Sequence, residues 1–88
     1  MITLSLQVNN KSGLHARPAA LFVQTAKTFQ SSVKVKKDAK QVDGKSLLSL
    51  MTLGAGPGSQ VEVTVDGPDE ADAAKAIQDL ANDNFGEH

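Results

Sequence analysis

Cysteine is absent from the 88 residues. That removes disulfide scaffolding, cysteine–zinc sites and thiol catalysis, and fits a reducing compartment. Tryptophan and tyrosine are also absent and phenylalanine occurs three times, which leaves little on which nucleic-acid bases could stack. No apolar run approaches the ~20 residues needed to cross a bilayer, and the N-terminus lacks the basic-then-apolar pattern of a leader. The two histidines and scattered carboxylates have no ligand spacing, so neither a metal nor another cofactor is expected. His88 is read as a terminal residue without ligand geometry toward His15. The expectation is a cytoplasmic protein with no nucleic-acid partner and no membrane insertion.

What is present is one domain's worth of chain, 1–88, which on folding hides roughly 63% of its extended surface. The net charge of −1 conceals an uneven distribution. Residues 1–45 hold eight basic and two acidic side chains, a net of +6, and residues 46–88 hold one basic and eight acidic, a net of −7. A basic first half is compatible with docking an acidic or phosphorylated partner, and equally with an ordinary solvated surface.

Hydrophobic periodicity sets the element order. Ile2, Leu4, Leu6 and Val8 alternate with polar residues, the pattern of a half-buried strand, and Asn9–Gly13 reads as a loop. From Ala19 the period lengthens: Ala19, Phe22, Val23, Ala26 and Phe29 form one face of a helix, with Pro18 in its first turn. Val33 and Val35 make a second strand, residues 37–40 a hairpin turn shaped by Asp38, and Gln41–Val42 a third strand. Ser46 is suited to cap a short helix through Leu47, Leu50, Met51 and Leu53 that stops at Gly54. The stretch 54–59 is a glycine- and proline-rich loop, and Val61, Val63 and Val65 form a fourth strand. Asp69, Glu70 and Asp72 open a last helix with Ala73, Ile77, Leu80 and Ala81 buried, ended by Gly86. The order βαββαβα with one apolar face per element implies an α+β fold in two layers, helices on one side of a sheet.

One segment has chemistry that scaffolding does not require. In Gly13-Leu14-His15-Ala16-Arg17-Pro18, an imidazole sits where a loop becomes a helix, beside a guanidinium. The first turn of a helix offers amide hydrogens without intrahelical acceptors and the positive end of the dipole, a ready phosphate site. A phosphoryl group on His15 would find the amides of Ala16 and Arg17 and a charge-assisted contact from Arg17. Gly13 and Pro18 fix the turn and the first helical residues. A lone histidine in such a place is otherwise a capping or surface residue.

The run Gly13–Ala19, the amphipathic stretch to Phe29 and the segment Lys45-Ser46-Leu47-Leu48-Ser49-Leu50-Met51, at matching distance and over the whole chain, resemble the HPr family. These are the histidine-containing phosphocarriers of the bacterial phosphoenolpyruvate-dependent sugar phosphotransferase system. The resemblance implies an open-faced β-sandwich, a four-stranded antiparallel sheet in order 1-4-2-3 with three helices on one face. It implies that His15 takes a phosphoryl group on Nδ1 from phosphorylated enzyme I and passes it to enzyme IIA components, with Arg17 stabilising the group. The chain would then be a covalent carrier and not an enzyme with turnover of its own.

By the same resemblance to Gram-positive members, Ser46 is a regulatory position, phosphorylated by an HPr kinase/phosphorylase so that the protein binds a catabolite-control transcription factor. Its role as a helix cap explains it without that function. A partner interface around His15 is expected from Ala16, Ala20, Gln24 and Lys27 on the first helix, and Lys45, Leu47, Leu48 and Met51 at the second. Some relatives carry lysines where this chain has Gln24 and Ser49, which reduces the electrostatic share of docking. A carrier in a nitrogen-related or dihydroxyacetone-kinase branch, and a mainly regulatory binding module, are the alternatives. A relay that meets two partners with one face is expected to work as a monomer.

Overall fold

The computed structural model describes residues 1–86, so His88 lies outside the described residues. The elements are β1 (Ile2–Gln7), α1 (Ala16–Lys27), β2 (Ser32–Lys37), β3 (Lys40–Asp43), α2 (Leu47–Thr52), β4 (Gln60–Asp66) and α3 (Glu70–Asn82), followed by a tight turn over Asn84–Gly86. All strand pairs are antiparallel and the sheet order is β1-β4-β2-β3. This is the open-faced β-sandwich that the resemblance implies.

Period-two alternation decides which side of the sheet is covered. Leu6, Val8, Val33, Val35, Val61, Val63 and Val65 are buried, whereas Ser5, Lys34, Lys36 and Glu62 between them are exposed. The register places Ser5 opposite Glu62 and Glu62 opposite Lys36, so the open face is a polar, mixed-charge surface. On the covered face α1 contributes Pro18, Ala19, Phe22, Val23 and Ala26, and α3 contributes Ala73, Ala74 and Ile77. Each large side chain removed from water here stabilises the fold by about 1.5–3 kcal/mol.

Element ends differ from the sequence reading in three places. α1 already begins at Ala16, with Pro18 in its first turn as expected. It closes at Lys27 because the Thr28 hydroxyl donates to the Thr25 carbonyl at 2.7 Å and the chain turns away. Phe29 therefore lies beyond the helix, although it still packs on the core. α3 ends at Asn82 and not at Gly86. Two left-handed residues follow, Asn84 (φ 54°) and Phe85 (φ 53°), and they drive the Phe85 ring into full burial. On α3, Leu80 and Ala81 are half-buried and Ala74 takes a core position. The hairpin turn does contain Asp38 in the left-handed region, φ 56°.

Candidate functional site

The geometry at His15 follows from the loop that delivers it. Gly13 has φ 65°, and a Cβ there would collide with the Ala55 carbonyl oxygen and approach Gly56 Cα to 2.7 Å. Only glycine fits both the left-handed backbone and that close approach. Asn10 is buried and donates from Nδ2 to the Gly13 carbonyl at 2.8 Å. Leu14 is buried as well, and its amide donates to the Ala55 carbonyl at 2.8 Å. The sequence reading gives Asn10 and Leu14 no role. Asparagine's habit of bonding backbone in turns was the available signal for the first.

His15 is the N-cap residue of α1, with extended backbone (φ −105°, ψ −164°) and its carbonyl accepting from the Ala19 amide at 2.8 Å. Its side chain is exposed and makes no capping hydrogen bond. The imidazole is thus not spent on the role that would explain it as scaffolding. Among the described residues the amides of Ala16 and Arg17 have no acceptor, and Pro18 has no N–H to satisfy. The first turn of α1 contains no acidic residue, whereas that of α3 contains Glu70 and Asp72. The positive end of the α1 dipole is therefore left uncompensated beside His15. Arg17 is exposed and forms no ion pair among the described residues. An anion attached to the ring would meet two unengaged N–H donors and one uncommitted cation.

Spacing of four, four and three residues puts Ala16, Ala20, Gln24 and Lys27 on a single stripe of α1. Ala20 is half-buried and the other three are exposed. With 1.5 Å of rise per residue, Lys27 lies about 18 Å along the axis from His15. It belongs to the far end of that face and does not flank the imidazole.

Ser46 caps α2 as its residue type predicts: Oγ accepts from the Ser49 amide at 3.3 Å, and its carbonyl from the Leu50 amide at 3.0 Å. Leu50 is the buried residue of this helix, Met51 is half-buried against the core, and Leu47 and Leu48 are 41% and 74% exposed. Lys45 is half-buried, and its ammonium donates to the Phe29 carbonyl at 2.8 Å. That bond ties the start of α2 to the exit of α1, while Leu14–Ala55 ties the chain after α2 to the entrance of α1. The two helices therefore run in opposite senses. Met51 is on the His15 side of the pair, and Ser46 with Lys45 on the other.

Among the described residues there is no group of three or more potential metal ligands and no helix long and apolar enough to cross a membrane.

The family model for the PTS HPr component phosphorylation site matches residues 2–83. The chain is 47% identical over 87 residues to the phosphocarrier protein HPr of Neisseria meningitidis, covering 99% of this chain and 98% of that one. It is 44% identical over 77 residues to the HPr-like protein Crh of Halalkalibacterium halodurans, covering 88% and 92%. The crystal structure of HPr-C-His from Thermoanaerobacter tengcongensis superposes with a TM-score of 0.96 at 48% identity, covering 100% of this chain and 99% of that one.

Proposed function

Since the chain belongs to the HPr family of phosphocarriers of the phosphotransferase system, we propose that His15 is the residue that carries the phosphoryl group. In this reading, phosphorylated enzyme I donates to His15 Nδ1, and enzyme IIA components collect the group for sugar uptake. Each transfer breaks one bond to phosphorus as it forms the next, with the incoming lone pair opposite the leaving atom, and no water is consumed. The unengaged amides of Ala16 and Arg17 hydrogen-bond the phosphoryl oxygens, and the Arg17 guanidinium offsets charge during transfer. The protein is a relay without turnover of its own, acting as one HPr domain over 1–88, as a monomer in the cytoplasm.

The observation that carries the reading is the uncapped start of α1: an exposed imidazole that makes no cap, next to two free amides with no acid in the turn. Incubated with enzyme I and phosphoenolpyruvate, the protein gains one phosphate that is lost in acid, and His15→Ala gains none. Arg17→Ala keeps the fold and slows transfer by at least tenfold, the usual order for losing a charged contact to the transferring group. An acid-labile phosphate on His15→Ala would place the acceptor elsewhere.

Partners dock on the face formed by Ala16, Ala20, Gln24 and Lys27 of α1 with Leu47, Leu48 and Met51 of α2. A leucine 74% exposed on a short helix packed against α1 is better explained by docking than by folding.

Ser46 is the regulatory position in this proposal. Its hydroxyl is half-buried at a helix start, where added negative charge is electrostatically tolerated and would sit at the edge of the leucine patch. An HPr kinase/phosphorylase with ATP then yields an acid-stable adduct, absent in Ser46→Ala, and the adduct binds a catabolite-control transcription factor. Absence of any adduct on the wild type would remove this part. The similarity to Crh favours a second reading, a mainly regulatory module working through Ser46. An exposed histidine in the matched segment favours the carrier.

A further inference from the structure

α2 has little of its own to hold it in place. Its six residues make fewer than two turns, well below the length at which a helix is stable alone. None is charged, one is fully buried, and Leu47 and Leu48 face solvent. Two lysines supply what burial does not. Lys40, on β3, donates from Nζ to the carbonyl of Thr52, the last residue of α2, at 2.7 Å. Lys45, just before the Ser46 cap, donates to the carbonyl of Phe29, two residues past the end of α1, at 2.8 Å. The Thr52 carbonyl is at the negative end of α2, where intrahelical donors have run out, and the Phe29 carbonyl lies in the chain just past the C-cap of α1. Neither ammonium pairs with a carboxylate among the described residues. One bond fastens the C-terminus of α2 to the sheet, and the other fastens its N-terminus to α1.

We propose that Lys40 and Lys45 are positioning residues for phosphoryl transfer. They hold α2 at a fixed attitude to α1, so that a partner meets Leu47, Leu48 and the Ala16–Ala20 stripe as one preformed surface. The proposal rests on the reading that partners dock there. It gives Lys45 a different task from the direct partner contact expected of it, because an ammonium committed to a carbonyl acts through geometry, whereas a charge that steers a partner is screened by salt.

The test uses Lys40→Met and Lys45→Met, which keep the aliphatic stem, with Lys45→Arg as the conservative rescue. Amide exchange at Ser49, Leu50 and Leu53 should quicken by about tenfold in each Met variant, the order expected for losing one charged hydrogen bond, while β4 amides stay protected and report an intact fold. In enzyme I-dependent phosphorylation, KM for the variant should rise several-fold with kcat unchanged, equally at low and physiological salt, and Lys45→Arg should return toward wild type. Unchanged α2 exchange in both Met variants overturns the clamp. So does a KM effect that disappears in salt, which would make Lys45 a steering charge. Faster exchange with unchanged KM overturns the positioning role. If the wild type accepts no phosphate from enzyme I, the carrier reading has failed, and the exchange data still decide separately whether the lysines hold α2.

Discussion

At Gly13 the backbone enters the left-handed region two residues before the imidazole, with the Ala55–Gly56 backbone against it. Alanine there would bring both the cost of that φ for an L side chain and a clash against main-chain atoms that cannot rotate away. Gly13→Ala is expected to lose about 3 kcal/mol, which for a chain of this size lowers Tm by roughly 15 °C. Because Leu14 bonds Ala55 across the same contact, relieving the clash also shifts His15 relative to the 54–59 loop. Phosphoryl transfer should then fall even at temperatures where the variant is folded. Calorimetry and an enzyme I assay check the two parts, and a melt within a few degrees of wild type would show that the loop accommodates a Cβ. The role of Gly13 as a permissive turn residue was legible in the sequence. The surface it presses on was not, since Ala55 is about forty residues away and nothing in either segment announces their contact.

Among the elements, the connection between α1 and β2 is secured by one carboxylate. Asp69, the residue before α3, accepts from Ser31 Oγ at 2.5 Å, the Gln30 amide at 2.8 Å and the Ser31 amide at 2.9 Å. The Ser31 hydroxyl first, and then the Gln30 amide, hold its carboxyl below the usual range. A depressed folded pKa means that the stabilisation is complete above the ordinary carboxylate value near 4 and is lost as pH falls through the lower, folded one. Wild type should therefore lose thermal stability on acidification below about pH 4. Asp69→Asn, less stable at neutral pH, should show a visibly flatter acid limb. Parallel acid limbs for the two proteins in unfolding scans would show that other carboxylates dominate. The sequence reading placed Asp69 in the helix start for its charge near the dipole, which is a local argument. Its bonds reach back 38 and 39 residues, beyond any local pattern. Ser46 is the opposite case, a cap whose acceptor role spans three residues and was readable from residue type alone. The Lys45 bond was illegible for a related reason: lysine is ordinarily solvated, and only the folded chain brings the Phe29 carbonyl within its reach.

On the scale of the whole molecule, alternation and helical period identified the layers, because each element has one apolar face and must bury it. The strand order came from family resemblance, since no periodicity dictates which of four similar strands lie side by side. The closure of the fold was the least legible part. Phe85 occupies a backbone region that a bulky side chain enters only under compulsion, so no sequence rule places it there. Its ring is nevertheless fully buried, in a turn that packs against both α1 and α3. Burial offsets the local strain of about 1–3 kcal/mol only if the ring fills space that no other side chain reaches. Phe85→Ala keeps the strain, loses the ring and leaves a cavity, so it should cost about 3–5 kcal/mol and lower Tm by on the order of 20 °C. His15 draws its loop geometry from Gly13, Leu14 and Ala55, none of which belongs to the turn over Asn84–Gly86. Phosphorylation by enzyme I at low temperature should therefore stay near wild type in this variant even though its melt has collapsed. A small change in Tm would mean that the ring is dispensable to the core. A large loss of transfer in the folded variant would mean that the C-terminal turn reaches the site through α1.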